Sequence, residues 1–149
     1  MNVMKEFKNK ARESKKTIVL PEGYEPRMIN ALPKIKDENL ADIILLGEKQ
    51  KIEEIAEKEG VNLDDINIID PAKSELKEEF AEIFYELRKH KDITKEEALN
   101  QVTDPLYFGV MLVHTEKADG MVAGSINATG DVLRPALQIV KTKDNISVV

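Results

Sequence analysis

The chain has 149 residues, 42% of them hydrophobic, which is the size and composition of one domain with a single core. Its net charge of −6 excludes an unaided grip on the nucleic-acid backbone or on an anionic membrane surface, since both reward an excess of Lys and Arg. With no cysteine and only His90 and His114 for imidazole, disulfides, thiolate metal sites and a Cys–His catalytic pair are excluded.

The first residues, Met1-Asn2-Val3-Met4-Lys5-Glu6-Phe7-Lys8, are charged and lack the apolar core of a signal peptide, and no apolar run approaches the ~18 residues of a membrane span. A cytoplasmic protein is the expectation. Residues 4–15 read as a polar helix, and the branched run 17–20 as a buried strand closed by Pro21-Glu22-Gly23. Residues 25–37 read as a helix with Pro33 in its middle, and 41–46 as a second strand closed by Gly47. A charged helix over 48–59, its solvated face laced with i,i+4 ion pairs, stops at Gly60, because glycine tolerates the left-handed conformation that ends helices. Residues 66–69 form a third short strand.

From Ser74, read as an N-cap, Leu76, Phe80, Ile83, Phe84 and Leu87 share one helical face, and Arg88-Lys89-His90-Lys91 ends that helix. Thr94-x-x-Glu97 is a capping-box pattern for a short helix to about residue 100. Asp104-Pro105 sets an N-cap and a first-turn proline before a mostly apolar helix to 113. Residues 120–123 read as a fourth strand, Thr129 or Asp131 as the cap of a helix running to about 141, and 146–149 as a further strand. Strands alternating with helices imply a parallel sheet in an α/β domain. Because the last strand would end the chain with an unpaired edge, self-association through it is expected.

The segment from Ala118 to Gln138 carries the strongest chemical signal. It joins a strand to a helix start through a Gly- and hydroxyl-rich loop and reaches Arg134. Amides at a helix start lack intrahelical acceptors and carry the positive end of the dipole, so a phosphate is held well there. Ser125, Asn127 and Thr129 supply side-chain donors, and Gly124 and Gly130 allow close backbone approach. The plainer alternative is a strand-to-helix turn with a capping hydroxyl.

Leu20-Pro21-Glu22-Gly23 with Arg27, then Tyr85-Glu86-Leu87-Arg88-Lys89-His90-Lys91, then Asp119-Gly120-x-x-x-Gly124, then Asp131-x-Leu133-Arg134-Pro135-Ala136-Leu137-Gln138 stand in order along the whole chain. Together they resemble the phosphate acetyltransferases, or phosphotransacetylases. The resemblance implies a three-layer αβα, Rossmann-like fold with a mostly parallel sheet, of the isocitrate/isopropylmalate dehydrogenase-like architecture. It implies that residues 1–149 form a single α/β domain equivalent to the N-terminal part of a two-domain enzyme, truncated before the rest.

The implied activity is acetyl transfer between phosphate and coenzyme A, with acetyl-CoA plus phosphate giving CoA plus acetyl phosphate, in a cytoplasmic homodimer. Coenzyme A and acetyl-CoA enter as substrates, with no covalently bound cofactor and no metal. Direct attack of the CoA thiolate on the acetyl phosphate carbonyl, assisted by an aspartate base, is the implied mechanism. The serine–arginine pair and that aspartate belong to the family's C-terminal part, so no catalytic residue is expected here and the chain alone is expected to be inactive. Two rivals stand beside this reading: a phosphate butyryltransferase, and a non-catalytic phosphate- or CoA-binding fragment.

The resemblance makes Arg88 and Arg134 contacts for phosphate or for CoA phosphates. A guanidinium beside a helix start suits bidentate phosphoryl binding, although Arg134 equally suits a pairing with Asp131 or a cover for apolar surface. Arg88 at a helix C-terminus equally suits the negative end of the dipole. Arg27 reads as structural, holding a carboxylate, and His90 and His114 read as solvated or packed. Three departures from the family pattern stand out: Ala128 replaces a hydroxyl, Asp92 stands where glycine is common, and Tyr24 where an acidic residue is usual. The last two read as peripheral.

Overall fold

The structure, a computed structural model, describes residues 2–143. The strand expected over 146–149, and the self-association argued from it, lie outside the described residues. The elements in order are α1 (Val3–Glu13), β1 (Lys16–Leu20), α2 (Pro26–Asp37), β2 (Ala41–Leu46), α3 (Lys49–Glu59), β3 (Asn67–Ile69), α4 (Lys77–Arg88) with a 3-10 turn (Lys89–Lys91), α5 (Lys95–Gln101), α6 (Pro105–His114), β4 (Gly120–Met121) and α7 (Thr129–Ile139).

The four strands form one sheet in the order β3-β2-β1-β4, with every neighbour pair parallel. Side chains alternate across a strand, so the unbroken apolar runs Val19-Leu20 and Ile43-Ile44-Leu45-Leu46 feed both faces of the sheet. Leu20, Ile43 and Leu45 pack with Ile29, Leu32, Ile52 and Ala56 of α2 and α3. Val19, Ile44 and Leu46 pack on the opposite face with Phe80, Phe84, Phe108, Met111 and Ile139 of α4, α6 and α7. The result is the three-layer αβα arrangement that the sequence implies. On α6, a Cβ at Gly109 would come within 2.6 Å of the Met121 sulfur, so the missing side chain lets this helix lie close against the sheet.

Three boundaries depart from the sequence reading. β4 pairs only at Gly120 and Met121, because the Val122 amide makes one last bond to the Val19 carbonyl (3.0 Å) and Gly124 then turns the chain at φ +105°. Ser74 accepts from the Leu76 amide (3.2 Å) and so caps a turn, while α4 begins after Leu76 with no side-chain cap. Neither Thr129 nor Asp131 caps α7: the N-cap position belongs to Ala128, which has no oxygen to offer, and Thr129 is already helical.

The chain goes from β1 to β2 and β3 on one side, then returns to place β4 on the other side of β1. In an open parallel sheet, such a reversal leaves a crevice at the carboxyl ends of the two diverging strands. Here Leu20-Pro21-Glu22-Gly23 and the loop 122–128 meet at that position and are bonded to each other.

Candidate anion cleft at the carboxyl edge of the sheet

Parallel pairing of β1 with β4 brings the Glu22 side chain against the Gly-rich loop. Its carboxylate accepts from the backbone amides of Gly124 (3.1 Å), Ser125 (2.8 Å), Ile126 (3.0 Å) and Asn127 (3.0 Å), and from the Asn127 Nδ2 (2.8 Å). Glu22 is only 3% exposed. Burial pushes its pKa up, but the hydrogen bonds from Asn127, Ile126 and Ser125 more than reverse that and lower it to about 2. The expectation that these amides grip a phosphate is therefore corrected. The loop is an anion nest, and its anion is a carboxylate of the same chain.

The rest of the segment after β1 reinforces this clasp. Arg27 pairs with Glu25 through its Nε and donates from Nη2 to the Ser125 carbonyl (2.8 Å), the structural role read from the sequence. At Gly23 a Cβ would collide with the Leu46 carbonyl oxygen and sit 2.9 Å from the Ile52 Cδ1, so only glycine lets the turn pass the end of β2. Tyr24 reaches across to accept from the Glu48 amide (2.7 Å). Asp92 adopts φ +57°, the left-handed conformation that glycine adopts freely.

Beside the nest lies a cleft of about 670 Å³ between α4, α5, α6 and α7. Arg88, at the last turn of α4, and Arg134, in the second turn of α7, both line it, as does Asn127. Asp131, Arg134 and Gln138 follow an i, i+3, i+7 stripe that presents them together. Ser125 and Thr129 do not line the cleft. The Ser125 hydroxyl is buried and has no partner among the described residues.

The lining includes three carboxylates, Glu97, Asp104 and Asp131, against two guanidiniums, yet two of the three are engaged elsewhere. Asp104 caps α6 through the amides of Leu106 (2.8 Å) and Tyr107 (3.3 Å). Glu97 closes the capping box of α5 by accepting from the Thr94 amide (2.7 Å). Helix N-termini offset such charges. Asp131 stands 3.8 Å from Arg134 with both side chains more than half exposed, a weak tether that leaves the guanidinium available. The Arg88 guanidinium has no ion pair or hydrogen bond among the described residues, and the residue is half-buried.

The wall between the arginines is Tyr107, whose hydroxyl donates to the Gln138 Oε1 (3.0 Å). Burial raises the phenol pKa, against the pull of the Arg134 charge and, more weakly, of Arg88. Tyr107 and Phe84 meet edge to face at 5.6 Å, which locks α4 to α6 beneath Arg88. The sequence reading missed Glu22, Tyr107 and Gln138. Glu22 and Gln138 stand in the quoted motifs without a role of their own, and Tyr107 left no trace. Among the described residues no group of three or more His, Asp or Glu is disposed to hold a metal ion, and no helix is long and apolar enough to cross a membrane.

An open parallel sheet covered by helices on both faces, with Arg88 and Arg134 lining one cleft among the helices, defines the class: a three-layer α/β protein. The chain belongs to the family described as Phosphate acetyl/butaryl transferase, whose model matches residues 2–149. It is 46% identical to the phosphate acetyltransferase of Thermoanaerobacterium thermosaccharolyticum over 149 residues, 100% of this chain and 45% of that protein. It is 44% identical to that of Clostridium acetobutylicum over 139 residues, 93% of this chain and 42% of the relative. Among solved structures, the EutD phosphotransacetylase of Staphylococcus aureus superposes with a TM-score of 0.89 at 39% identity, covering 99% of this chain and 44% of that one. A phosphotransacetylase from Streptococcus pyogenes gives 0.87 at 39% identity, covering 97% and 45%. The chain thus spans less than half the length of these relatives.

Proposed function

We propose that this chain forms the phosphate-binding wall of a phosphate acetyltransferase, which interconverts acetyl-CoA plus phosphate with CoA plus acetyl phosphate. The observation that carries the reading is that Arg88 and Arg134, far apart in sequence, line one cleft. In this reading the two guanidiniums grip phosphoryl groups of acetyl phosphate or of coenzyme A, and Asn127 adds a neutral donor. Ser125 and Thr129, which do not line the cleft, act by shaping the loop and the start of α7 and not by touching the ligand. Small molecules are the partners, and the working enzyme is a cytoplasmic homodimer. The chemical step, thiolate attack on the acetyl carbonyl, needs a base and a closing wall that this domain does not supply, so the chain alone binds without turnover.

Calorimetric titration of the chain with inorganic phosphate and with coenzyme A tests the site. Arg134→Ala should weaken binding by about 2 kcal/mol, roughly thirtyfold, as expected for loss of a charge-assisted contact. Unchanged affinity in both Arg134→Ala and Arg88→Ala would overturn the assignment. A second reading is a unit that binds phosphate or coenzyme A without turnover. Joining residues 1–149 to the C-terminal half of the Thermoanaerobacterium relative and measuring acetyl and butyryl transfer separates the two, and the faster acyl donor fixes the chain-length preference.

A further inference from the structure

The proposed site explains the arginines but gives no work to the most heavily hydrogen-bonded side chain among the described residues. Glu22 is buried, sits outside the cleft lining, and receives five hydrogen bonds from four consecutive residues of the loop. The last of those residues, Asn127, lines the cleft, and α7, which carries Arg134, begins two residues later. Ala128 provides no side-chain cap, so the start of α7 is fixed by the loop before it. Arg27 grips the same loop from its carbonyl side.

We infer that Glu22 is a positioning residue for the anion cleft: an internal carboxylate that occupies the loop's amide nest and thereby fixes Asn127 and the start of α7 with Arg134. This rests on the proposed reading of the cleft. The two possible roles of a nearby carboxylate differ in sign. A carboxylate that is merely close to an anion site repels the anion, so neutralising it tightens binding. A carboxylate that orders the donors weakens binding when it is neutralised, because a binding group displaced by a fraction of an ångström loses its contact.

The loop's amides are satisfied internally, so an external phosphate meets side chains that Glu22 has arranged, and not the loop backbone.

The test is titration of the chain with inorganic phosphate and with coenzyme A, comparing wild type, Glu22→Gln and Gly124→Ala. Gly124→Ala keeps the Glu22 charge and meets nothing within 4 Å, but it strains the backbone at φ +105° and so disturbs the nest by an independent route. Both variants should bind about tenfold more weakly or worse, with hydrogen exchange accelerated over 124–134 and unchanged over β2. Should Glu22→Gln fail to fold, Gly124→Ala decides alone. Equal or tighter binding by a folded Glu22→Gln overturns the inference, as does wild-type affinity in Gly124→Ala. Failure of the wild type to bind either probe sinks the cleft reading, and the positioning role with it, whereas wild-type binding that survives in the variants overturns the positioning role alone.

Discussion

At the scale of single residues, Glu22 couples the loop to proton concentration. Its folded pKa of about 2 lies below the 4.5 of a free glutamate. A depressed folded pKa means that the unfolded chain takes up the proton first, so this residue stabilises the fold fully above about pH 4.5. That contribution is lost as pH falls toward 2. The difference is worth about 3 kcal/mol. Urea unfolding between pH 6 and pH 2 should show a loss of that order, and Glu22→Gln should be less stable at neutral pH with a flatter profile in the same window. An identical slope in the variant would mean that other carboxylates carry the acid sensitivity.

The helices show how far local chemistry reaches. The capping box at Thr94 and Glu97, the Asp104-Pro105 start and the Gly60 stop are all present as the sequence spells them, because each is a bond between residues within four positions of one another. The start of α7 was not legible. A hydroxyl at Thr129 looks like a cap, but the loop's geometry is set by Glu22, a hundred residues away in the chain, and that pushes the N-cap position back to Ala128. Ala128 already has the extended backbone of an N-cap, at φ −66° and ψ 150°. Ala128→Ser should therefore stabilise the protein by roughly 0.5–1 kcal/mol, read as a higher urea midpoint. No gain would indicate that the amides of the first turn are already satisfied.

For the molecule as a whole, the sheet and its two cores follow from apolar runs that must be buried on both faces, and these were visible in the sequence. The cleft was visible only as two separate arginines. Their convergence depends on α4, α6 and α7 packing on one face, which no local pattern encodes. Because a ligand that binds only the folded state stabilises it, phosphate at about 100 times its dissociation constant should add about 2.7 kcal/mol to the wild type. In a thermal scan the midpoint should rise with phosphate in the wild type and stay nearly fixed in Arg134→Ala. An equal rise in both would place phosphate elsewhere.

The chain has no tryptophan and three tyrosines, so its near-ultraviolet emission comes from few sources. Tyr107 is 7% exposed, lies in the cleft and donates to Gln138, whereas Tyr24 is 42% exposed and sits at the end of β2. An anion seated between Arg88 and Arg134 changes the field at the Tyr107 phenol directly. The molecule thus carries its own optical reporter of cleft occupancy, readable in the unlabelled chain and silenced by Tyr107→Phe.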